Sequence, residues 1–254
     1  MLPEFASVIP ESKEKALTYL SSLDKVKVFA GGTDLLVKMR RGETCNNIVD
    51  ITGIPDLKGI SQHGSLITIG AASTHKAIST HPIVRSQACS LAIACGWVGS
   101  PAIRNMGTIG GNLVNASPAA ESLAPLLIHD AEVVLESNDG MRRMKVEDFI
   151  LAPYKTAINT RELLTVIEIK GLSGYREGYK RVTKRAAWAI SRLSIAWAIL
   201  EEAGVFRDVK IAIGSCTPMP FRPNAIEASL QGKAKSVDII RTAVEGILEE
   251  IKRI

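Results

Sequence analysis

The chain has 254 residues, 46% of them hydrophobic, which is ample for a buried core in one large domain or in two to three small ones. Its net charge is +5, but only Arg176 to Arg192 is densely charged and no aromatic–basic interleaving occurs, which argues against a nucleic-acid partner. No run of about 18 apolar residues is present, and the opening MLPEFASVIPESKEK lacks a cationic lead into an apolar segment, so neither a membrane span nor a secretory signal is expected and the chain reads as cytoplasmic.

In chain order, Pro10-Glu11-Ser12 opens an amphipathic helix with Ala16, Leu17 and Leu20 on its apolar side and Ser12 as cap. Val26, Val28, Phe29 and Ala30 form a short strand stopped at Gly31-Gly32. Thr33 is expected to cap a helix through Leu35, Leu36 and Met39 that ends near Gly42. Ile48, Val49 and Ile51 form another strand, so residues 1–55 read as a small α/β lobe. A second lobe, 56–170, is richer in strand signals. Leu66 to Ile69 follows the turn His63-Gly64-Ser65, Thr74 caps a helix, and residues 83–97 read as one apolar helix. Ser117-Pro118 is expected to open a further helix, with Ser as cap and Pro in the first helical position. Asn138-Asp139-Gly140 turns a hairpin. In the last part, 171–254, Leu193, Ile195, Trp197 and Ile199 alternate as a strand, Gly204 turns, and Val209, Ile211 and Ile213 return. After Pro218, Pro220 and Pro223 a helix starts at Ser236, with Ile239, Ile240, Ala243, Ile247, Leu248 and Ile251 on one face.

The four cysteines, Cys45, Cys89, Cys95 and Cys216, form no CxxC pair and read as reduced thiols. His63, His75, His81 and His129 are scattered and compose no Ser-His-Asp or metal-binding pattern. Two glycine pairs carry the chemistry: Ala30-Gly31-Gly32-Thr33-Asp34, between strand and helix, and Thr108-Ile109-Gly110-Gly111-Asn112. Glycine permits a tight turn and lets backbone N–H groups approach a bulky anion. The helix after Gly32 is expected to add its N-terminal amides and dipole, so that two such loops could clamp a diphosphate from both sides. Neither loop is a GxGxxG or a P-loop fingerprint, and each glycine pair taken singly also reads as an ordinary turn. By residue type alone, Asp34 serves equally to favour a helix N-terminus, Leu163 and Leu164 as core, and Lys180 as a solvated charge.

The blocks AGGTDLLVKMRRG, IVDITGIPDLKGI, IGAASTH and IRNMGTIGGNLVNASPAAES, in this order and spacing, resemble the flavin-binding medium subunit of molybdenum hydroxylases, the family of xanthine dehydrogenase and carbon monoxide dehydrogenase. The resemblance continues in Glu162-Leu163-Leu164, Glu168, Tyr179-Lys180 and Ile211 to Gly214, and so covers nearly the whole chain. It implies an α+β protein: a two-lobed FAD-binding fold of the vanillyl-alcohol-oxidase/PCMH type, then a C-terminal domain with a small antiparallel sheet and helices. FAD is the implied cofactor. Its diphosphate would lie on the loops Ala30 to Leu35 and Thr108 to Asn112, with polar contacts from Asn115, Ser117 and Glu121. Leu163 and Leu164 would pack near the flavin ring, and Lys180 would reach its polar edge.

The implied function is electron transfer within an oxidoreductase complex. Electrons would come from a molybdopterin-binding large subunit through a [2Fe-2S] small subunit, and leave to NAD+ or another acceptor from a heterohexameric assembly. No side chain is expected to act as a catalytic nucleophile or base. A stand-alone flavin oxidoreductase and a flavin-less scaffold subunit remain the alternatives. Two departures from the family pattern stand out: Trp188 occupies a place where many relatives carry an acid, and relatives usually continue past the last helix, whereas this chain stops at Ile254.

Overall fold

The computed structural model describes residues 2–184 and 190–254, so Trp188 lies outside the described residues. The chain begins with β1 (Ala6–Val8), α1 (Lys13–Ser22), β2 (Val26–Phe29), α2 (Leu35–Arg40) and β3 (Asn47–Asp50). The three strands form a parallel sheet in the order β1-β3-β2. Ser12 Oγ accepts the Lys15 N–H and so satisfies one of the free amides of α1. Ala16, Leu17 and Leu20 of that helix pack with Val49 and Ile51. The three-residue β1 had no signal in the sequence, because so short a segment shows no period. Thr33 does not cap α2: Asp34 takes that position in a helical conformation and no side chain closes the first turn. The Gly31-Gly32 turn leaves the carboxyl end of β2, the end at which parallel sheets present ligand-binding loops.

The second sheet is antiparallel, in the order β4 (Ile60–His63), β5 (Leu66–Gly70), β10 (Leu163–Lys170), β6 (Glu132–Ser137), β7 (Gly140–Lys145). Six helices fill the connection from β5 to β6 (Glu132–Ser137): α3 (His75–Thr80), α4 (Pro82–Gln87), α5 (Cys89–Trp97), α6 (Pro101–Met106), α7 (Ile109–Asn115) and α8 (Leu123–Ile128). After the hairpin partner β7 (Gly140–Lys145) come α9 (Val146–Phe149), β8 (Ile150–Ala152), β9 (Lys155–Thr156) and β10 (Leu163–Lys170).

Two expectations are corrected here. Residues 83–97 are two helices broken at Ala88, whose φ of −149° is not helical. The break leaves Ser90 at the head of α5, where its free N–H reaches Glu177 Oε2 at 3.2 Å. Ser117-Pro118 opens a turn and not a helix; α8 starts only at Leu123. Ser117 Oγ accepts the Ala119 N–H two residues on, the local bond by which serine competes with helix.

The third sheet is the antiparallel meander β11 (Arg176–Thr183), β12 (Ser191–Glu202) and β13 (Val205–Gly214). Helices α10 (Asn224–Leu230) and α11 (Val237–Arg253) cover it. Ser236 caps α11 through the Ile239 N–H. Ala243 and Ile247 are buried and Ile239 and Ile251 half-buried, but Ile240 and Leu248 of the expected apolar face are exposed. A three-stranded sheet seats only the centre of that wide stripe.

Buried polar groups join this sheet to the second lobe. Glu177 Oε2 of β11 accepts from Ser90 Oγ at 2.9 Å and meets His129 Nε2 at 3.1 Å, while His129 Nδ1 faces the Lys170 carbonyl at 2.7 Å. Ser90 and His129 are fully enclosed. Asp130 holds Lys210 and Arg222, each at 2.8 Å. Among the described residues no helix is long and apolar enough to cross a membrane. Replacing Glu177 by Ala would leave the Ser90 hydroxyl and the His129 ring without this partner in a dry interior, where losing one partner of such a group costs about 3 kcal/mol. We expect the urea midpoint of E177A to fall accordingly; an unchanged midpoint would show that the junction contributes nothing.

Candidate functional site

The two glycine loops meet backbone to backbone. A Cβ built on Gly31 would lie 2.6 Å from the Met106 carbonyl carbon, closer still to its oxygen, and 2.8 Å from Gly107 Cα. Only glycine permits that approach. Gly32 follows with φ +67°, the left-handed conformation that turns the chain into α2. The second loop is pinned from behind: Gly107 O accepts from the His75 N–H at 3.0 Å, the Ile109 N–H donates to Ser73 O at 3.1 Å, and the Gly110 N–H to Ala71 O at 2.8 Å. Thr108 Oγ1 accepts the Gly111 N–H at 3.1 Å and caps α7. Among the described residues nothing accepts from the N–H groups of Gly31, Gly32, Thr33 and Asp34. These amides provide the anion-binding capacity of the first loop. The helix dipole invoked from the sequence adds little, since α2 has six residues and α7 seven.

The loops form the floor of a cavity of about 610 Å³. Ala30, Gly31, Gly32, Thr33, Asp34 and Leu35 line it from the first lobe, and Thr108, Gly110, Gly111, Asn112 and Asn115 from the second. Leu163 and Leu164 close one wall, side by side where the β10 ladder shifts register. Each is 3% exposed and also belongs to the core, as residue type alone suggested. Four residues named from the sequence lie off the lining. Ile109 is fully buried beneath the second loop. Ser117 closes its own turn. Glu121, 6% exposed, accepts from Tyr179 Oη, from Arg181 at 2.6 Å and from Ser191 Oγ at 2.7 Å. Lys180 is exposed on β11. Its neighbours Tyr179 and Arg181 turn inward instead, and Arg181 stacks over the Trp97 ring. The carboxylate of Glu121 and burial both push the Tyr179 phenol upward, burial the more.

The sequence reading missed several lining residues: Lys38, His75, Tyr154, and Ile158 to Thr160 with Glu162. Lys38 had a readable signal, being one helical turn beyond Asp34. Tyr154 and the 158–162 segment had none, because β-strand pairing far along the chain brings them here. Arg142 grips Glu162 with two bonds of 2.7 and 2.8 Å, and this holds the Glu162 carboxyl below its ordinary range. Lys27 does the same for Glu43 across 2.6 Å. His75 is 2% exposed, and its Nδ1 has no hydrogen-bond partner. Burial first, and the Arg104 charge second, push its imidazole down to about 4.

Residues 3–169 match the family described as FAD binding domain in molybdopterin dehydrogenase, and residues 178–254 that of the CO dehydrogenase flavoprotein C-terminal domain. The glyceraldehyde dehydrogenase medium chain of Sulfolobus acidocaldarius is 33% identical over 251 residues, covering 98% of this chain and 89% of that protein. The carbon monoxide dehydrogenase medium chain of Hydrogenophaga pseudoflava is 28% identical, covering 97% of this chain and 86% of its own length. The solved carbon monoxide dehydrogenase from Hydrogenophaga pseudoflava superposes with a TM-score of 0.92 at 29% identity, over 97% of this chain and 86% of that one.

His75 gives the site a pH signature. Its folded value lies below the ordinary 6.5, so the unfolded chain binds the extra proton first as pH falls. The stability it contributes is complete above 6.5 and is lost as pH drops toward about 4, to a total of about 3 kcal/mol. We expect H75Q to flatten the fall of the unfolding free energy between these limits in a urea series at stepped pH. An unaltered slope in H75Q would mean that His75 titrates normally.

Proposed function

The chain belongs to the family of FAD binding domains in molybdopterin dehydrogenases, and on that basis we propose that it is the electron-transfer subunit of a molybdenum hydroxylase complex. FAD is its cofactor and the chain is an oxidoreductase subunit. Bound FAD supplies the redox chemistry, taking up single electrons from iron–sulfur clusters and giving up a pair to NAD+ or another acceptor. The protein binds and orients it.

The observation that carries this reading is the contact of Gly31 with the Met106-Gly107 backbone, which brings both loops to one floor. A cavity of about 610 Å³ falls in the range of about 300–1,000 Å³ usual for small-molecule and cofactor sites. The amides of Gly31 to Asp34, without an acceptor among the described residues, suit the diphosphate. We assign the diphosphate to Ala30 to Leu35 and to Thr108, Gly110, Gly111 and Asn112, a further polar contact to Asn115, and the flavin end to the apolar wall at Leu163 and Leu164. Ile109 shapes the second loop from beneath. Ser117, Glu121 and Lys180 are given no contact in this assignment, since each lies off the cavity wall. Residues 1–55 and 56–170 act as the two lobes holding the cofactor, and 171–254 as a buttress against the second lobe. The partners proposed are a molybdopterin-binding large subunit and a [2Fe-2S] small subunit in a cytoplasmic complex.

Purified with its partners, the chain should carry the visible absorption of oxidised flavin, together with molybdenum and iron. Gly31→Ala drives a methyl group into the Met106 carbonyl, so the two loops must part locally; G31A should still assemble with its partners but lack flavin. Full flavin content in G31A would overturn the diphosphate assignment. A colourless wild-type complex would overturn the function.

A further inference from the structure

The charges on the cavity wall are mostly neutralised in place. Lys27 pairs with Glu43 and Glu162 with Arg142. Lys38 is different: among the described residues no carboxylate forms an ion pair with it. Its ammonium donates to Asn115 Oδ1 at 2.6 Å and lies 5.6 Å from the centre of the Tyr154 ring. Tyr154 is held for this by its N–H on the Ala116 carbonyl, 2.8 Å away, in a left-handed conformation (φ +60°) that a tyrosine rarely adopts. Lys38 stands one turn past Asp34 in α2, and Asn115 one turn past Gly111 in α7. Their bond therefore ties together the turns that follow the two glycine loops, and fixes a cation on the wall both loops share. An amide oxygen and a ring face orient an ammonium without cancelling its charge, and two of its three N–H donors remain.

From this geometry we infer that Lys38 is the side-chain counter-cation of the cofactor's diphosphate, an inference that rests on the FAD reading above. The loop amides are neutral and supply hydrogen bonds; Lys38 supplies the compensating charge. It thereby makes the site selective for ligands with a diphosphate over the bare flavin ring, and makes their affinity dependent on salt.

The test uses the full chain stripped of flavin, titrated with FAD, ADP and riboflavin at low and moderate ionic strength. ADP carries the diphosphate without the flavin, and riboflavin the flavin without phosphate. Lys38→Met should weaken FAD and ADP about tenfold, equivalent to about 1.4 kcal/mol. It should also flatten the salt dependence of ADP binding and leave riboflavin within about twofold. Lys38→Arg should recover most of the loss. Unchanged ADP affinity in K38M would overturn the inference, and so would an equal loss for riboflavin, which would reduce Lys38 to a strut for Asn115 and Tyr154. If the wild-type chain binds neither FAD nor ADP, the cofactor reading falls as well; if it binds FAD and K38M matches it, only the role of Lys38 falls.

Discussion

The approach of two main-chain segments without side chains between them sets the rest of this structure. Gly31 lies so close to Met106 and Gly107 that no Cβ fits. At that spacing the loops share one floor, and the first loop's amides, without an acceptor among the described residues, are left to face an anion there. The surrounding elements maintain this approach. The parallel strand β2 delivers the first loop at its carboxyl end, and bonds from Ser73, His75 and Ala71 clamp the second against the antiparallel sheet. A rigid, preformed loop pair has little reorganisation to undergo when an anion binds, which favours tight cofactor retention.

The electrostatics follow from that arrangement. A site built on neutral amides needs charge from elsewhere if it is to hold a doubly charged bridge. Lys27 is matched with Glu43 and Glu162 with Arg142, while among the described residues Asp34 and Lys38 stand outside any ion pair, Lys38 on its lattice of Asn115 and Tyr154. His75 sits dry beside the same floor with its ring neutral. A cation there would have to be desolvated behind the loops, whereas Lys38 is only half-buried.

The C-terminal sheet reaches the site only indirectly. Its buried polar residues, Tyr179, Arg181 and Ser191 around Glu121 and Glu177 against Ser90 and His129, grip the helices that carry the second loop's surroundings. That explains why Glu121, named from the family pattern as a polar contact, is here the hub of a domain junction. It also explains the position of Lys180: alternate residues of a strand face opposite ways, so when Tyr179 and Arg181 turn inward Lys180 turns out.

Local chemistry was legible in the chain without its fold. Ser12, Thr74 and Ser236 cap helices as their types require, the turn residues at Asn138 to Gly140 make the hairpin, and the alternation from Leu193 to Ile213 makes the meander. The glycine pairs drew notice because glycine lets backbones approach closely, which Gly31 and Gly110 use, and the family resemblance supplied their cofactor. What the sequence could not decide was which distant residues would share the cavity. Thr33 failed as a cap because α2 begins one residue later at Asp34, Ser117 because its hydroxyl closes a local turn on Ala119, and Ile240 and Leu248 stayed in solvent because the sheet beneath is narrow. Tyr154, Ile158 and His75 joined the wall through long-range pairing and packing. Caps, turns and periods depend on residues within a few positions of one another and so can be read along the chain. The meeting of Gly31 with Met106, or of Lys38 with Asn115, is settled by how whole elements pack, and no local pattern records that.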